Sequence, residues 1–250
     1  MTRQGRSFPT TAEYEKHSEN LSEIRKFRVQ IERLHKSAIR RNAAPEISTL
    51  ARTQYLTVGI EAEAVLRKIV ADPTGFNDNE RSAIWSARSK ADQWLKVVEL
   101  AFRRHYAVLL HESLDIALDA TPRHRYQSMS SVIHDDLRPI IEQRNKIAHG
   151  QWVWHLRSGK EDLFTSDGPH NSTPDYLTVS HYSKMLGEIA DLVLFLVVSR
   201  PTFEREFNNG YARFDSHRTA IANNANGVAY QDYIKELQAT KRKPNSQSSA

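Results

Sequence analysis

The sequence predicts a mainly α protein, a helical bundle that carries one small β-hairpin. Three observations predict it. Apolar residues recur with the 3.6-residue period of a helix through most of the chain. One stretch near 151–166 alternates instead with the two-residue period of a strand, around a Ser-Gly turn. Strands do not alternate with helices along the chain, so a βαβ architecture does not fit.

Residues 1–19 are polar and aperiodic and are expected to form a flexible N-terminus. Leu21, Ile24, Phe27, Ile31, Leu34 and Ala38 share one face and predict an N-terminal helix within 20–45 that packs on the bundle. The bundle is expected over 46–210. Its first helix carries Ile47, Leu50, Tyr55, Val58, Ala62, Val65, Leu66 and Ile69, and DPTGFNDNE ends it. A further helix from about Glu80 presents Ile84, Ala87, Ala91, Trp94, Leu95, Val98 and Phe102; VLLHESLDIALDA continues it and TPRHR breaks the chain. The next helix runs from about Tyr126 to His149. Pro139 is expected either to kink it or to sit in the first turn of a helix begun by Asp135 or Asp136.

After Gly150, QWVWHL and DLFTSD around RSGKE predict the hairpin, and YLTV a further short strand. The helical period returns in SHYSKMLGEIADLVLFLVVSRPTFEREF, with Ser180 as the expected cap and Pro201 as an interruption. Residues 211–250 read as a C-terminal extension, disordered from about 241.

Composition narrows the chemistry. At 250 residues and 39% hydrophobic content the chain can bury one sizeable core. A net charge of +5 and a pI near 9.4 favour an anionic partner such as nucleic acid. With no cysteine, thiol nucleophiles, disulfides and zinc–thiolate sites are excluded. The start lacks an apolar signal-peptide core, and the longest apolar run, IADLVLFLVV, is too short to span a bilayer, so a soluble cytoplasmic protein is expected. No P-loop, dinucleotide glycine motif, serine-nucleophile elbow or zinc signature is present.

The most informative stretch is EQRNKIAHG, Glu142 to Gly150. Placed at 100° per residue from Leu137, Ile140, Ile141, Ile147 and Ala148 form one apolar stripe, and Arg144 interrupts it. A guanidinium there requires a carboxylate, an interface or a ligand, because an unpaired buried charge is costly. Glu61, at the edge of the apolar face of the 46–70 helix, is the expected partner. Beside the stripe, Arg138, Glu142, Asn145 and His149 share a polar face. Gly150 follows where helices usually end, which puts His149 in the last turn. Arginine, histidine and glycine in that order also make an ordinary helix stop.

An arginine, a polar neighbour, three more residues and a histidine, late in an all-α bundle, resemble the R-x4-6-H signature of the HEPN superfamily, here Arg144-Asn145-Lys146-Ile147-Ala148-His149. The resemblance covers roughly 46–200 and places the motif on the penultimate helices of a HEPN-like bundle. It implies a metal-independent endoribonuclease, acting in phage defence, a toxin–antitoxin pair or RNA processing, and working as a homodimer with two motifs across one cleft. An antitoxin or defence-system protein is then an expected partner, and no cofactor or metal is expected. Some members are silent binding modules, which is the alternative. The subgroup adenylylated by its antitoxin has a tyrosine two residues after the histidine; this chain has Gln151.

The chemistry suits those residues. Cleavage by the substrate's own 2′-hydroxyl needs a proton acceptor, a proton donor and positive charge at the phosphate. His149 can serve as acid or base, Arg144 offers a planar fork for phosphate, and Asn145, one turn before His149, can orient the ring. Arg138, Glu142, Lys146 and Glu61 are the expected supporting or RNA-binding residues. Elsewhere, His134, Asp135 and Asp136 are expected to cap and solvate rather than bind metal, and His105 and His111 lack ligand spacing. Arg40-Arg41, Arg103-Arg104 and Lys241, Arg242 and Lys243 are either phosphate contacts or solvated faces. Trp152 and Trp154 are expected to pack onto the bundle, with base stacking as the other possibility.

Overall fold

A computed structural model of the chain describes residues 8–154, 156, 163–164 and 174–240, and it is a helical bundle. Two long helices, α1 (Thr11–Arg41) and α2 (Ala44–Val70), run antiparallel, with Tyr14 near Lys68, His35 bonded to Gln54 and Arg41 paired with Glu46. α1 starts nine residues before the expected boundary at 20, because Thr10 and Glu13 form a reciprocal capping box. Residues 11–19 therefore belong to the fold, and local capping outweighs the missing apolar period.

The helix expected from Glu80 is two helices, α3 (Asp78–Trp85) and α4 (Lys90–His105). Asn77 and Glu80 box the start of α3, while the Ser89 hydroxyl accepts from the Asp92 N–H and restarts the helix as α4. Ala107 then takes a left-handed conformation (φ 53°), which ends α4's direction before the short α5 (Leu114–Ala117). TPRHR does not break the chain: it lies inside α6 (Ala120–Ser131), with Pro122 in the first turn, where no backbone donor is needed.

From Ala120 to Ala148 the chain is one continuous helical path with a π-helical turn, Val132–Leu137, between α6 and α7 (Arg138–Ala148). Pro139 supplies the reason. It lacks an N–H and its ring crowds the carbonyl four residues earlier, and a widened turn accommodates both. Asp135 and Asp136 sit within that turn and cap nothing: Asp135 accepts from Ser131 and His134, and Asp136 binds Arg218.

α8 (Tyr176–Val198) begins at the Asp175 cap rather than at Ser180, so YLTV is helical, not a strand. Ser199 turns the chain into α9 (Arg200–Asn223), with Pro201 in its first turn. α10 (Val228–Ala239) follows and lies on α1, where Gln238 donates to the Ile39 carbonyl and Tyr233 stacks on Tyr176. The expected extension from 211 is thus part of the bundle as far as 240, and α7 is followed by three helices rather than one. Residues 1–7 and 241–250 lie outside the described residues. No helix among the described residues is long and apolar enough to cross a membrane.

No strand forms among the described residues. Where the hairpin is expected, one isolated antiparallel bridge joins Leu156 to Phe164, and its turn, 157–162, lies outside the described residues. The core sits between α2, α4, the π turn with α7, and α8, around Trp94, Phe102, Leu66, Ile133, Leu137, Val193 and Phe203.

One polar contact within this packing has a measurable consequence. His181 on α8 and His217 on α9 face each other with Nδ1 atoms 3.3 Å apart, a contact that needs one ring to donate and the other to accept. Burial, then Lys184, and for His181 also His217, hold both rings below the ordinary histidine range, against the opposing pull of Asp175 and Glu188. A depressed folded pKa means that the unfolded chain takes up protons first as pH falls. Stability is therefore expected to be unaffected above about pH 6.5 and to decline below it. Melting temperatures from pH 7.5 to 5 check this, and His217→Gln should make the decline shallower.

Candidate active site at the end of helix α7

The site is built from α7 packed on α2. Ile140, Ile141 and Ile147 are buried, as the stripe requires, whereas Ala148 is exposed because α7 has left the core by its last residue. Arg144 stays inside the stripe by a close approach. Its stem lies across Gly59 of α2, where an added Cβ would sit 2.5 Å from both Cβ and Cγ of Arg144. The guanidinium Nη1 then pairs with Glu63 Oε1 at 2.9 Å and donates to Asn145 Oδ1 at 2.7 Å. The side chains of Arg144 and Glu63 are 20% and 11% exposed, so this pair is screened less than a surface ion pair. Arg144 Nε is buried with no hydrogen-bond partner among the described residues.

The end of α7 is a complete glycine cap. Gly150 takes φ 78°, its N–H donates to the Ile147 carbonyl, and the Gln151 N–H reaches back to the Lys146 carbonyl. An added Cβ at Gly150 would meet nothing, so the positive φ alone calls for glycine there. His149 is the capping residue itself: its N–H donates to the Asn145 carbonyl at 3.0 Å and its ring is exposed. Asn145 links the two functional groups, since its side chain holds Arg144 and its turn carries His149. The stop-signal features and the candidate site are the same residues.

Glu61 is not the partner of Arg144. Its carboxylate is taken by α1, from Arg25 Nε at 2.9 Å and Arg28 Nε at 2.8 Å. Residues two apart on a helix point about 200° from each other, so Glu61 and Glu63 cannot both face α7. Glu63 and Gly59 are the residues that sequence reasoning missed. Gly59 was the usable signal: it is the single glycine in α2, and a mid-helix glycine costs about 1 kcal/mol relative to alanine unless packing requires it.

The supporting residues divide. Arg138 turns to α4 and pairs with Asp92 at 2.7 Å; Ser89 first, then Arg138, hold the Asp92 carboxyl below its usual range. Glu142 is exposed, and Lys146 is half-buried in the last turn. Trp152 and Trp154 do not pack into the core; each remains 46% exposed. Of the arginine runs, Arg103 binds Glu99 and Arg104 binds the Gly75 and Val197 carbonyls, whereas Arg41 pairs with Glu46 at the surface and Arg40 is exposed. Lys241, Arg242 and Lys243 lie outside the described residues. Among the described residues no group of three or more histidines and carboxylates is placed to hold a metal.

A double-mutant cycle distinguishes the two carboxylates. Glu63→Gln and Arg144→Ala are expected to couple by about 0.5–3 kcal/mol in stability, whereas Glu61→Gln and Arg144→Ala should be additive. Urea unfolding of the variants checks both.

No family model, curated protein or solved structure matches this chain.

Proposed function

We propose that this chain is a metal-independent endoribonuclease of the HEPN type, in a phage-defence or toxin-type setting, that cleaves RNA through its 2′-hydroxyl. The observation that carries the reading is the Arg144–Asn145–His149 unit: a guanidinium that donates a hydrogen bond to the residue whose own turn presents an exposed imidazole. Among the described residues the ion pair with Glu63 and the hydrogen bond to Asn145 both use Nη1, which leaves Nη2 as the group offered to a phosphate oxygen.

In this reading His149 removes the 2′-hydroxyl proton, the 2′-oxygen attacks phosphorus, and the 5′-oxygen leaves with a proton from His149 of the partner subunit. The motif supplies one imidazole, so in this reading a second copy of the chain provides the acid. Wild-type protein with RNA in a chelator should yield 2′,3′-cyclic phosphate and 5′-hydroxyl ends, with DNA untouched. Light scattering at micromolar concentration should give the mass of a dimer; an active strict monomer would overturn the composite site.

A specific observation also favours a second reading, a catalytically silent module that binds RNA, nucleotide or a partner protein. Glu63 offsets the charge of Arg144, as in a structural pin between α2 and α7. RNA binding without cleavage of any RNA tested would select that reading.

A further inference from the structure

His181 and His217 form a pair that neither the candidate active site nor the apolar core uses. They come from different helices, α8 and α9, and are 36 residues apart in the chain. Both are half-buried, at the surface where the two helices pack. Each turns the same atom, Nδ1, toward the other at 3.3 Å, with the ring planes 48° apart.

Nδ1 of a neutral ring is either a lone pair or an N–H, and two lone pairs facing at that distance repel unless a proton or a cation lies between them. A proton bridge fits poorly, since an N–H donor normally sits about 2.7–3.2 Å from its acceptor. A metal ion fits better. Bound about 2.0–2.1 Å from each nitrogen, it closes the triangle at an N–metal–N angle of about 104–111°, which brackets the tetrahedral value that zinc adopts. Burial first, and Lys184 second, keep both rings in the neutral form that ligates metals. Lys184 also opposes a cation here; Asp175 and Glu188 pull the other way, with Glu188 shared with Arg213. We propose that His181 and His217 are a zinc-binding pair that staples α8 to α9. No third histidine or carboxylate joins them among the described residues, so water fills the two remaining positions. The staple is independent of the RNA-cleavage reading: it bears on stability and enters no step at His149.

The probe is zinc chloride alone, added to the full chain after chelator has been dialysed away. Zinc should raise the melting temperature, because an ion that binds only the folded chain stabilises it by mass action. Magnesium, which takes oxygen ligands, should leave it unchanged. By titration calorimetry His181→Asn and His217→Gln should each weaken zinc binding by about tenfold or more, at least the scale of losing an outer-shell partner. His134→Gln, at an exposed histidine on the π turn, should bind as wild type does. Lowering the pH should weaken binding to wild type, since protons compete for the same two nitrogens. Spectra of wild type with nitrogen-labelled histidine give a readout that does not depend on how a variant folds: the Nδ1 signals of two rings should move together as zinc is added. Zinc affinity unchanged in both His181→Asn and His217→Gln overturns the staple, as does a shift confined to one ring or to Nε2. Failure of millimolar zinc to raise the melting temperature of wild type overturns it as well, and would leave the pair as a proton-bridged contact.

Discussion

His149→Ala is expected to slow RNA cleavage by about 10²-fold or more, the usual scale for removing a positioned proton-transfer group. The fold should be nearly unaffected, because the residue caps α7 through its backbone N–H and its ring is exposed. Surface substitutions of that kind cost within about 0.5 kcal/mol. Rate and melting temperature should therefore separate in this variant, whereas a purely structural role would move them together or move neither. The substrate side of the same test is an RNA with one 2′-deoxy residue immediately 5′ to the cut. Without the nucleophilic hydroxyl that bond should be inert, and cleavage at an undiminished rate would refute the mechanism. Chelation should leave the wild-type rate unchanged, since no step calls on a bound metal.

Gly59→Ala should be the most damaging single-methyl change on α2. Two effects oppose each other: alanine in place of a mid-helix glycine favours the helix by about 1 kcal/mol, and forcing an extra methyl into a packed contact costs about 1–3 kcal/mol. The geometry decides. The new Cβ would stand 2.5 Å from Cβ and Cγ of Arg144, atoms tied to the α7 backbone that cannot swing aside as a side-chain tip would. α2 and α7 must separate, which pulls Arg144 from Glu63 and disturbs its bond to Asn145. A displacement of about 1 Å at a positioning group can cost 10²-fold in rate, so cleavage is expected to fall about 10- to 100-fold with a lowered melting temperature. In an Arg144→Gly background, where both clashing atoms are gone, Gly59→Ala should become neutral or stabilising. Persistence of the full penalty there would mean that the contact does not set the helix spacing.

The site was legible in part, and the division follows how far each interaction reaches along the chain. Arg144, Asn145, His149 and Gly150 lie within seven residues, so helical period and cap chemistry bring them together whatever surrounds them. The acid that holds Arg144 was misassigned by two residues. Glu61 and Glu63 are alike in type and both border apolar positions; choosing between them requires knowing that α1 lies on the other side of α2 with Arg25 and Arg28. Trp152 and Trp154 were expected in the core because large aromatics usually are, and burial depends on whether another element covers them. None does.

By itself the sequence determined the mainly helical character, the absence of thiol chemistry, the break within DPTGFNDNE, the place where α7 stops and the polar face it presents there, because each follows from period, composition or a local cap. Tertiary structure decided the rest: that Glu63 rather than Glu61 meets Arg144, that Gly59 lets the two helices approach closely enough for it, and that residues up to 240 close the bundle on α1. These depend on which face of one helix meets which face of another. That is set by the packing of residues up to 199 positions apart, as for Gln238 on Ile39, and no local pattern carries it.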